Sequence, residues 1–215
     1  MKIKNILALA SLTLPMTLAA QSINFETQDY AKLGVYDTWE ASPFRTGVLK
    51  GNYAVVDNHL NQEEAVLGKA PNPSKKILAV QRSRFGSNTF GVRIDLKQTF
   101  ELTPQTKYVH VMVNRPYSGR VMVIGLGKRR DRAGQSPETE QFWAMSTSSI
   151  PANRWQDVVV AFKGNGGIDI YSLVIVPDME SPHAYTDDKI CYIDNIEVND
   201  NPSPNYPYDF YPLNF

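Results

Sequence analysis

The sequence predicts an all-β protein, a two-sheet antiparallel β-sandwich of the jelly-roll type. Past the first 20 residues, no apolar pattern with the 3.6-residue period of a helix is sustained over the length of a helix. Short alternating or apolar runs recur instead between clusters of Gly, Pro, Asn and Asp, which are typical turn residues. Ten such runs with hairpin-length gaps favour two packed sheets and no helix longer than about three turns.

The candidate strands follow one another along the whole chain. They are Ser22–Thr27, Val35–Glu40, Tyr53–Asn58, Ile77–Arg84, Thr89–Leu96, Lys107–Asn114, Arg120–Leu126, Trp155–Phe162, Ile168–Val176 and Lys189–Val198. Two long segments, residues 60–76 and 127–153, carry no strand pattern and are predicted to be irregular. Because a single β-sandwich commonly reaches about 200 to 250 residues, one domain is expected.

The first 20 residues have the pattern of a secretory signal peptide. Lys2 and Lys4 form a cationic start, and residues 6–14 form an apolar run that is too short to span a bilayer. Small residues follow, so cleavage is expected after Ala20, with cleavage after Ala19 as the alternative. No cysteine stands at either position to take a lipid. We therefore expect an exported, soluble protein in the periplasm, at the cell surface or outside the cell.

Charge and cysteine content restrict the function. Lys and Arg together number 22, as do Asp and Glu, so the chain is not built to neutralise the phosphates of a nucleic acid. The only cysteine, Cys191, excludes an internal disulfide, and its apolar surroundings in the sequence indicate a core position. Stability must therefore come from packing, with a bound metal as an additional source.

Side chains suited to catalysis are few. The three histidines, His59, His110 and His183, show no spacing typical of metal ligands. A glycosidase needs two carboxylates that flank the scissile bond, and only Glu138 and Glu140, in a predicted loop, imitate such a pair. The sequence therefore favours binding over catalysis. A glycoside hydrolase or polysaccharide lyase of the same architecture is the alternative.

Strand alternation places several polar and aromatic side chains on an outer sheet face. Arg93 points away from the core in its strand, and Tyr108, His110 and Asn114 do so in the next strand. Because consecutive strands are often spatial neighbours, these four residues are expected to form one patch. Sugars are bound by aromatic faces and hydrogen-bonding side chains, so the patch is a candidate carbohydrate site. A solvated sheet face without a ligand explains the same pattern.

The long segment at 127–153 is expected to form one side of this carbohydrate site. It carries Trp143, which would stack on a sugar ring. It also carries Arg129 and Arg130, which would donate hydrogen bonds to hydroxyl or carboxylate groups and would suit an acidic sugar.

Two segments at the ends of the predicted sandwich resemble a known class of domain. Residues Ile23 to Glu26 and Cys191 to Val198 resemble the opening and closing strands of galactose-binding-like carbohydrate-binding modules. Residues 55–58, 73–80, 108–116 and 155–160 resemble exported domains found with glycan-degrading systems. The likeness implies a jelly roll that binds carbohydrate without cleaving it, in an exported protein that recognises or uses polysaccharide.

The same resemblance implies a structural calcium ion between the first and last strands. Glu26 and Asp194 occupy the positions of its acidic ligands, with backbone carbonyls completing the set. In the alternative arrangement, Asp194 hydrogen-bonds a neighbouring turn and Glu26 lies in solvent.

The expected organisation is a signal peptide at 1–20, a sandwich domain at 21–199 and a Pro/Tyr-rich C-terminal tail at 200–215. The prolines of the tail exclude regular secondary structure. Its aromatic side chains favour packing on the sandwich, although its composition also fits an unstructured tail. A third hypothesis for the function follows, in which the chain is a structural or assembly domain whose tail docks onto a protein partner.

Overall fold

The chain folds almost entirely as β-strands. The computed structural model describes residues 21–36, 53–60, 72–82, 89–134, 139–147, 149–179 and 186–205. Within them, strands β1 to β11 are, in order, Gln21–Ile23, Tyr30–Tyr36, Tyr53–Asp57, Lys76–Arg82, Gly91–Glu101, Lys107–Asn114, Met122–Arg129, Glu140–Met145, Gln156–Phe162, Ile168–Val176 and Lys189–Asn199. A single 3-10 turn at Arg130–Arg132 is the only helical element in these residues, and none of them forms a helix that could cross a membrane.

The strands form two sheets in which every pairing is antiparallel. Sheet one has the order β3-β4-β11-β6-β9, with β1 paired to the end of β11, and sheet two has the order β2-β5-β10-β7-β8. The predicted two-sheet antiparallel sandwich is thereby confirmed. Edge strands β9 of sheet one and β8 of sheet two approach each other at one side of the sandwich.

The core lies between the sheets and follows the alternation of the strands. Val109, Val111 and Val113 point inward from β6, as predicted. The inward residues of β5 and β10 that pack in the same core are Val92, Ile94, Leu96, Phe100, Ile170, Leu173 and Ile175. Each such side chain contributes about 1.5–3 kcal/mol when it is buried.

Cys191 is a buried residue of β11, as the sequence predicted. Its Sγ lies 3.4 Å from the Tyr117 hydroxyl. Burial raises the pKa of the Cys191 thiol to about 12, so the thiol stays protonated at neutral pH.

Two strands differ from the sequence prediction. Strand β2 begins at Tyr30 rather than Val35, because a bulge between Tyr30 and Lys32 breaks the two-residue alternation. Strand β8 lies inside the segment 127–153, which was wrongly predicted to be irregular. Because β8 carries apolar side chains on both faces, its sequence lacks the two-residue alternation of apolar and polar residues that indicates a strand.

The predicted single patch on one sheet is wrong. Arg93 lies in β5 of sheet two, whereas Tyr108, His110 and Asn114 lie in β6 of sheet one. The connection after β5 crosses from one sheet to the other, so these consecutive strands are not neighbours.

Several sequence predictions fall outside the described residues. These are the signal peptide at 1–20, the ends of two candidate strands (37–40 and 83–84), Glu138, His183 and residues 206–215 of the tail.

Candidate functional site

An open groove runs along the side of the sandwich where β8 and β9 approach each other. Its volume is about 930 Å³. Strand β8 contributes Trp143 and Met145, and β9 contributes residues 156–161. Tyr108 of β6 also lines it, together with residues 146, 147 and 149–151 and with Pro202 and Pro204. We call this feature the edge groove.

The edge groove combines exposed apolar side chains with small polar ones. Trp143 is 48% exposed and Met145 is 50% exposed, which are large fractions for such residues. Both project from the outward face of β8, opposite Ile124 and Met122 of β7. Hydroxyl and amide groups of Ser118, Thr147, Ser149 and Gln156 belong to the same lining. An aromatic surface beside hydrogen-bonding groups suits a sugar, which presents C–H groups and hydroxyls.

The structure brings together two of the seven residues predicted to bind carbohydrate. Tyr108 and Trp143 line the same groove although they belong to different sheets. His110 and Asn114 do not form an exposed surface, because they are only 1% and 8% exposed. Sequence alternation placed both on an outer face, but it could not show that this face is covered.

The arginines predicted to form one side of the site are engaged by carboxylates of the chain. Arg130 donates from Nε and Nη2 to the two oxygens of Asp169 at 2.8 and 2.6 Å, and from Nη1 to Glu101 at 3.1 Å. Arg129 donates to both oxygens of Asp131 at 2.9 and 3.0 Å. These partners raise the pKa of both guanidinium groups. Neither arginine lines the edge groove, so the structure adds no support for an acidic sugar there.

Arg93 belongs to a separate surface on the outward side of sheet two. Its Nε donates to Asp95 at 2.7 Å, and its guanidinium lies 5.7 Å from the centre of the Tyr171 ring. Lys128 Nζ lies 5.2 Å from the same ring, and the Tyr171 hydroxyl is 2.8 Å from Thr139 Oγ1. We call these residues the Tyr171 patch.

The predicted calcium ligands lie at the junction of β1, β4 and β11, where several oxygen donors meet. Asp194 is fully buried, and its Oδ2 accepts a hydrogen bond from Asn72 Nδ2 at 2.8 Å. Asp194 Oδ1 has no hydrogen-bond partner. Burial, helped by the negative charge of Glu26, raises the pKa of Asp194 to about 6. Glu26 Oε1 accepts from the backbone N–H groups of Lys75 and Lys76.

A hard cation fits beside Asp194 Oδ1, the carboxylate oxygen without a hydrogen-bond partner. A buried carboxylate oxygen without a donor carries an uncompensated desolvation cost, which a bound cation removes. Asn72, Ser74 and Asn195 lie at the same junction, where Asn72 Oδ1 accepts from the Ser74 backbone N–H at 3.2 Å and from Asn195 Nδ2 at 3.3 Å. Calcium accepts amide and hydroxyl oxygens as ligands. The described residues hold no group of three or more His, Cys, Asp or Glu side chains arranged for a metal, so neutral oxygens would have to complete the set. Sequence reasoning missed Asn72 and Ser74.

The fold is similar to that of solved carbohydrate-binding modules. The CBM22-2 xylan-binding domain of Xyn10C from Paenibacillus barcinonensis matches with a TM-score of 0.51 and 12% identity, over 83% of this chain and 97% of that chain. A family 30 carbohydrate-binding module matches with a TM-score of 0.50 and 8% identity, over 91% of this chain and 94% of that one.

A larger protein also matches over part of its length. The CBM22-1 and GH10 modules of xylanase 10B from Clostridium thermocellum, complexed with xylohexaose, match with a TM-score of 0.45 and 12% identity, over 68% of this chain. The present chain covers 24% of that one. No family model matches the sequence, and neither does any curated protein. At these identities the likeness shows the fold alone, the jelly-roll sandwich that the sequence resemblance implied.

Proposed function

We propose that this chain is a non-catalytic carbohydrate-binding domain of an exported protein that recognises polysaccharide, and that the edge groove is its binding site. The observation that carries the proposal is the convergence of Trp143 and Tyr108 on one open groove. Half of the Trp143 side chain remains in water although the protein has a well-packed core to bury it in. Such exposure of a large aromatic residue is typical of a binding surface.

The proposed ligand is a neutral polysaccharide. The groove offers aromatic and apolar surface together with hydroxyl and amide groups. Its carboxyl residue, Asp157, is only 2% exposed, and the neighbouring arginines are already paired with carboxylates. An open groove accommodates a segment of a long chain rather than only its end. One structural neighbour is described as xylan-binding, which makes xylan the first polysaccharide to test.

We also propose that calcium binds at the junction of β1, β4 and β11 and stabilises the sandwich. Glu26 and Asp194 would supply the charged ligands, with Asn72 and Ser74 beside them. The site lies in sheet one, between its strands rather than in the edge groove, so its proposed role is structural.

Binding to the edge groove is tested by titrating xylohexaose into the protein and following heat release and tryptophan fluorescence. Trp143→Ala should weaken binding by about 1–3 kcal/mol, and Tyr108→Ala by a similar amount, because each removes an aromatic contact at the centre of an interface. Both variants should melt close to the wild-type temperature, since Trp143 and Tyr108 are not core residues.

Tyr171→Ala is the matched control, because it removes an aromatic side chain from the Tyr171 patch on the outward side of sheet two. It should leave xylohexaose affinity unchanged. If Tyr171→Ala abolishes binding and Trp143→Ala does not, the Tyr171 patch is the binding site and the groove assignment is overturned. A Tyr108→Ala variant that unfolds would show instead that Tyr108 belongs to the core.

Export is tested separately by determining the N-terminal sequence of the protein recovered after expression in a secreting host. We expect the chain to begin at Gln21, the residue after the predicted cleavage site. A protein that retains Met1 would contradict export through a cleaved signal peptide.

A further inference from the structure

Residues 199–205 begin at the last residue of β11 and lie over the outer face of sheet one. We call them the C-terminal turn segment. Its side chains hold its own backbone. The backbone N–H of Asn201 donates to Asn199 Oδ1 at 2.8 Å, and the backbone N–H of Ser203 donates to Asn201 Oδ1 at 3.0 Å. These are Asx turns, which fix a short chain without regular secondary structure. Pro202 and Pro204 of this C-terminal turn segment form part of the lining of the edge groove.

The C-terminal turn segment is attached to sheet one through a buried pair of side chains. His110 of β6 has its Nε2 2.9 Å from the carbonyl oxygen of Asn201, and its Nδ1 3.1 Å from Asp157 Oδ2. The backbone N–H of Asn205 donates to the same Asp157 oxygen at 2.6 Å. His110 and Asp157 therefore hold both ends of the segment whose prolines border the groove.

The hydrogen bonds of His110 connect its ring to both ends of the segment. A backbone carbonyl has no hydrogen to give, so Nε2 donates to Asn201. Nδ1 contacts the Asp157 oxygen that also accepts from the backbone N–H of Asn205. His110 therefore holds the beginning of the segment directly and its end through Asp157.

The attachment is buried and is reinforced from the neighbouring strands. The side chains of His110 and Asp157 are only 1% and 2% exposed. Glu197 of β11 is the cross-strand partner of His110, and its Oε2 accepts from Asn205 Nδ2 at 3.0 Å. A further ion pair, Lys107 with Asp200 at 2.7 Å, lies at the start of the segment. Strands β9 and β11, on either side of His110, thus both hold Asn205.

We propose that His110 is a positioning residue for the edge groove. Together with Asp157, it fastens the C-terminal turn segment to sheet one and so places Pro202 and Pro204 in the groove lining. Without the hydrogen bond from His110 to Asn201, the two prolines are no longer held in that lining. Since the role rests on the proposed function of the groove, loss of this hydrogen bond should weaken glycan binding while the sandwich stays folded.

The attachment can be measured without a ligand, by NMR spectroscopy of the ¹⁵N-labelled wild type and His110→Asn. The shorter side chain of the variant can donate toward Asp157 but cannot reach Asn201. The backbone N–H signals of Asn201 and Ser203 should therefore shift, whereas signals from sheet two should stay in place. Unchanged signals of Asn201 and Ser203 would overturn the attachment. So would a variant that unfolds, because His110 would then stabilise the sandwich as a whole.

His110→Gln is the conservative variant, because its longer side chain can still donate from Nε2 to Asn201. It should return the Asn201 and Ser203 signals close to their wild-type positions. His59→Asn is the matched control, because His59 is an exposed histidine that contacts Tyr192 and not the C-terminal turn segment. It should behave like the wild type.

The functional consequence is measured by titrating xylohexaose into the same proteins. His110→Asn should bind at least about threefold more weakly than the wild type, whereas His110→Gln and His59→Asn should bind like the wild type. Equal affinity of His110→Asn and the wild type would overturn the positioning role even if the NMR signals shift. Absence of xylohexaose binding to the wild type would count against the proposed ligand, and the NMR comparison would then decide the attachment alone.

Discussion

Replacing Asp194 by Asn removes the charge of a buried carboxyl group that has one oxygen without a hydrogen-bond partner. Burial raises the pKa of this group from 3.8 to about 6. Because the folded-state pKa lies above the unfolded value, the folded state binds the proton more tightly. The contribution of Asp194 to the free energy of unfolding is therefore fully present below about pH 4 and is lost as the pH rises to about 6.

The size of this effect follows from the two pKa values. Each whole pKa step corresponds to ~1.36 kcal/mol, so the ionised Asp194 side chain costs the metal-free fold about 3 kcal/mol at neutral pH. Calcium bound to the carboxylate would offset this cost, because a ligand held only by the folded state raises stability by mass action.

The assay is urea unfolding of the wild type and Asp194→Asn at pH 4 and pH 7, each with a chelator and with calcium. In chelator, the wild type should lose up to about 3 kcal/mol relative to the variant between the two pH values. Calcium at pH 7 should restore the wild type and leave the variant unchanged. Parallel pH profiles in chelator would refute the assigned pKa. A wild type that is indifferent to both calcium and chelator would refute the metal site.

Three further predictions concern packing, surface charge and thiol reactivity. Gly91→Ala should lower the free energy of unfolding by about 1–3 kcal/mol, because the added Cβ would lie 2.5 Å from the carbonyl oxygen of Ile175. Gly34→Ala, which meets no atom within 4 Å, should be tolerated, and equal losses in urea unfolding would disprove the clash. Arg130→Gln should leave the melting temperature nearly unchanged, because exposed ion pairs such as those of Arg130 with two carboxylates contribute little to stability. A large drop in melting temperature would show that these ion pairs stabilise the fold. Cys191 should react with a thiol reagent only after unfolding, and rapid modification of the native protein would contradict its burial.

The sequence was sufficient to predict the fold class and most of the core. In β6, strict alternation identified Val109, Val111 and Val113, because a sheet buried on one face requires a two-residue period. The same rule failed at β2, where the bulge after Tyr30 shifts the register. It also failed at β8, whose outward Trp143 and Met145 are as apolar as its inward residues. Strand detection by period thus missed β8, one of the strands that border the edge groove.

The candidate site was only partly predictable, because the local sequence pattern of a strand does not determine which other strand it pairs with. Tyr108 and Trp143 were identified as exposed aromatic residues, yet their meeting at one groove depends on which strands form the sheet edges. His110 was placed on an outer face, but its burial depends on residues 199–205, about 90 positions later in the chain. Asn72 approaches Asp194 across a sequence separation of 122 residues. Such contacts follow from topology rather than from local sequence.

The most direct test of carbohydrate binding in the edge groove is affinity electrophoresis of residues 21–215 through gels that contain single soluble polysaccharides, with xylan first. The wild type should be retarded by at least one polysaccharide, and Trp143→Ala should migrate through that gel as it does through a gel without polysaccharide. Tyr171→Ala should be retarded like the wild type. Retardation of Trp143→Ala equal to that of the wild type, or a wild type that no polysaccharide retards, would contradict binding in the groove.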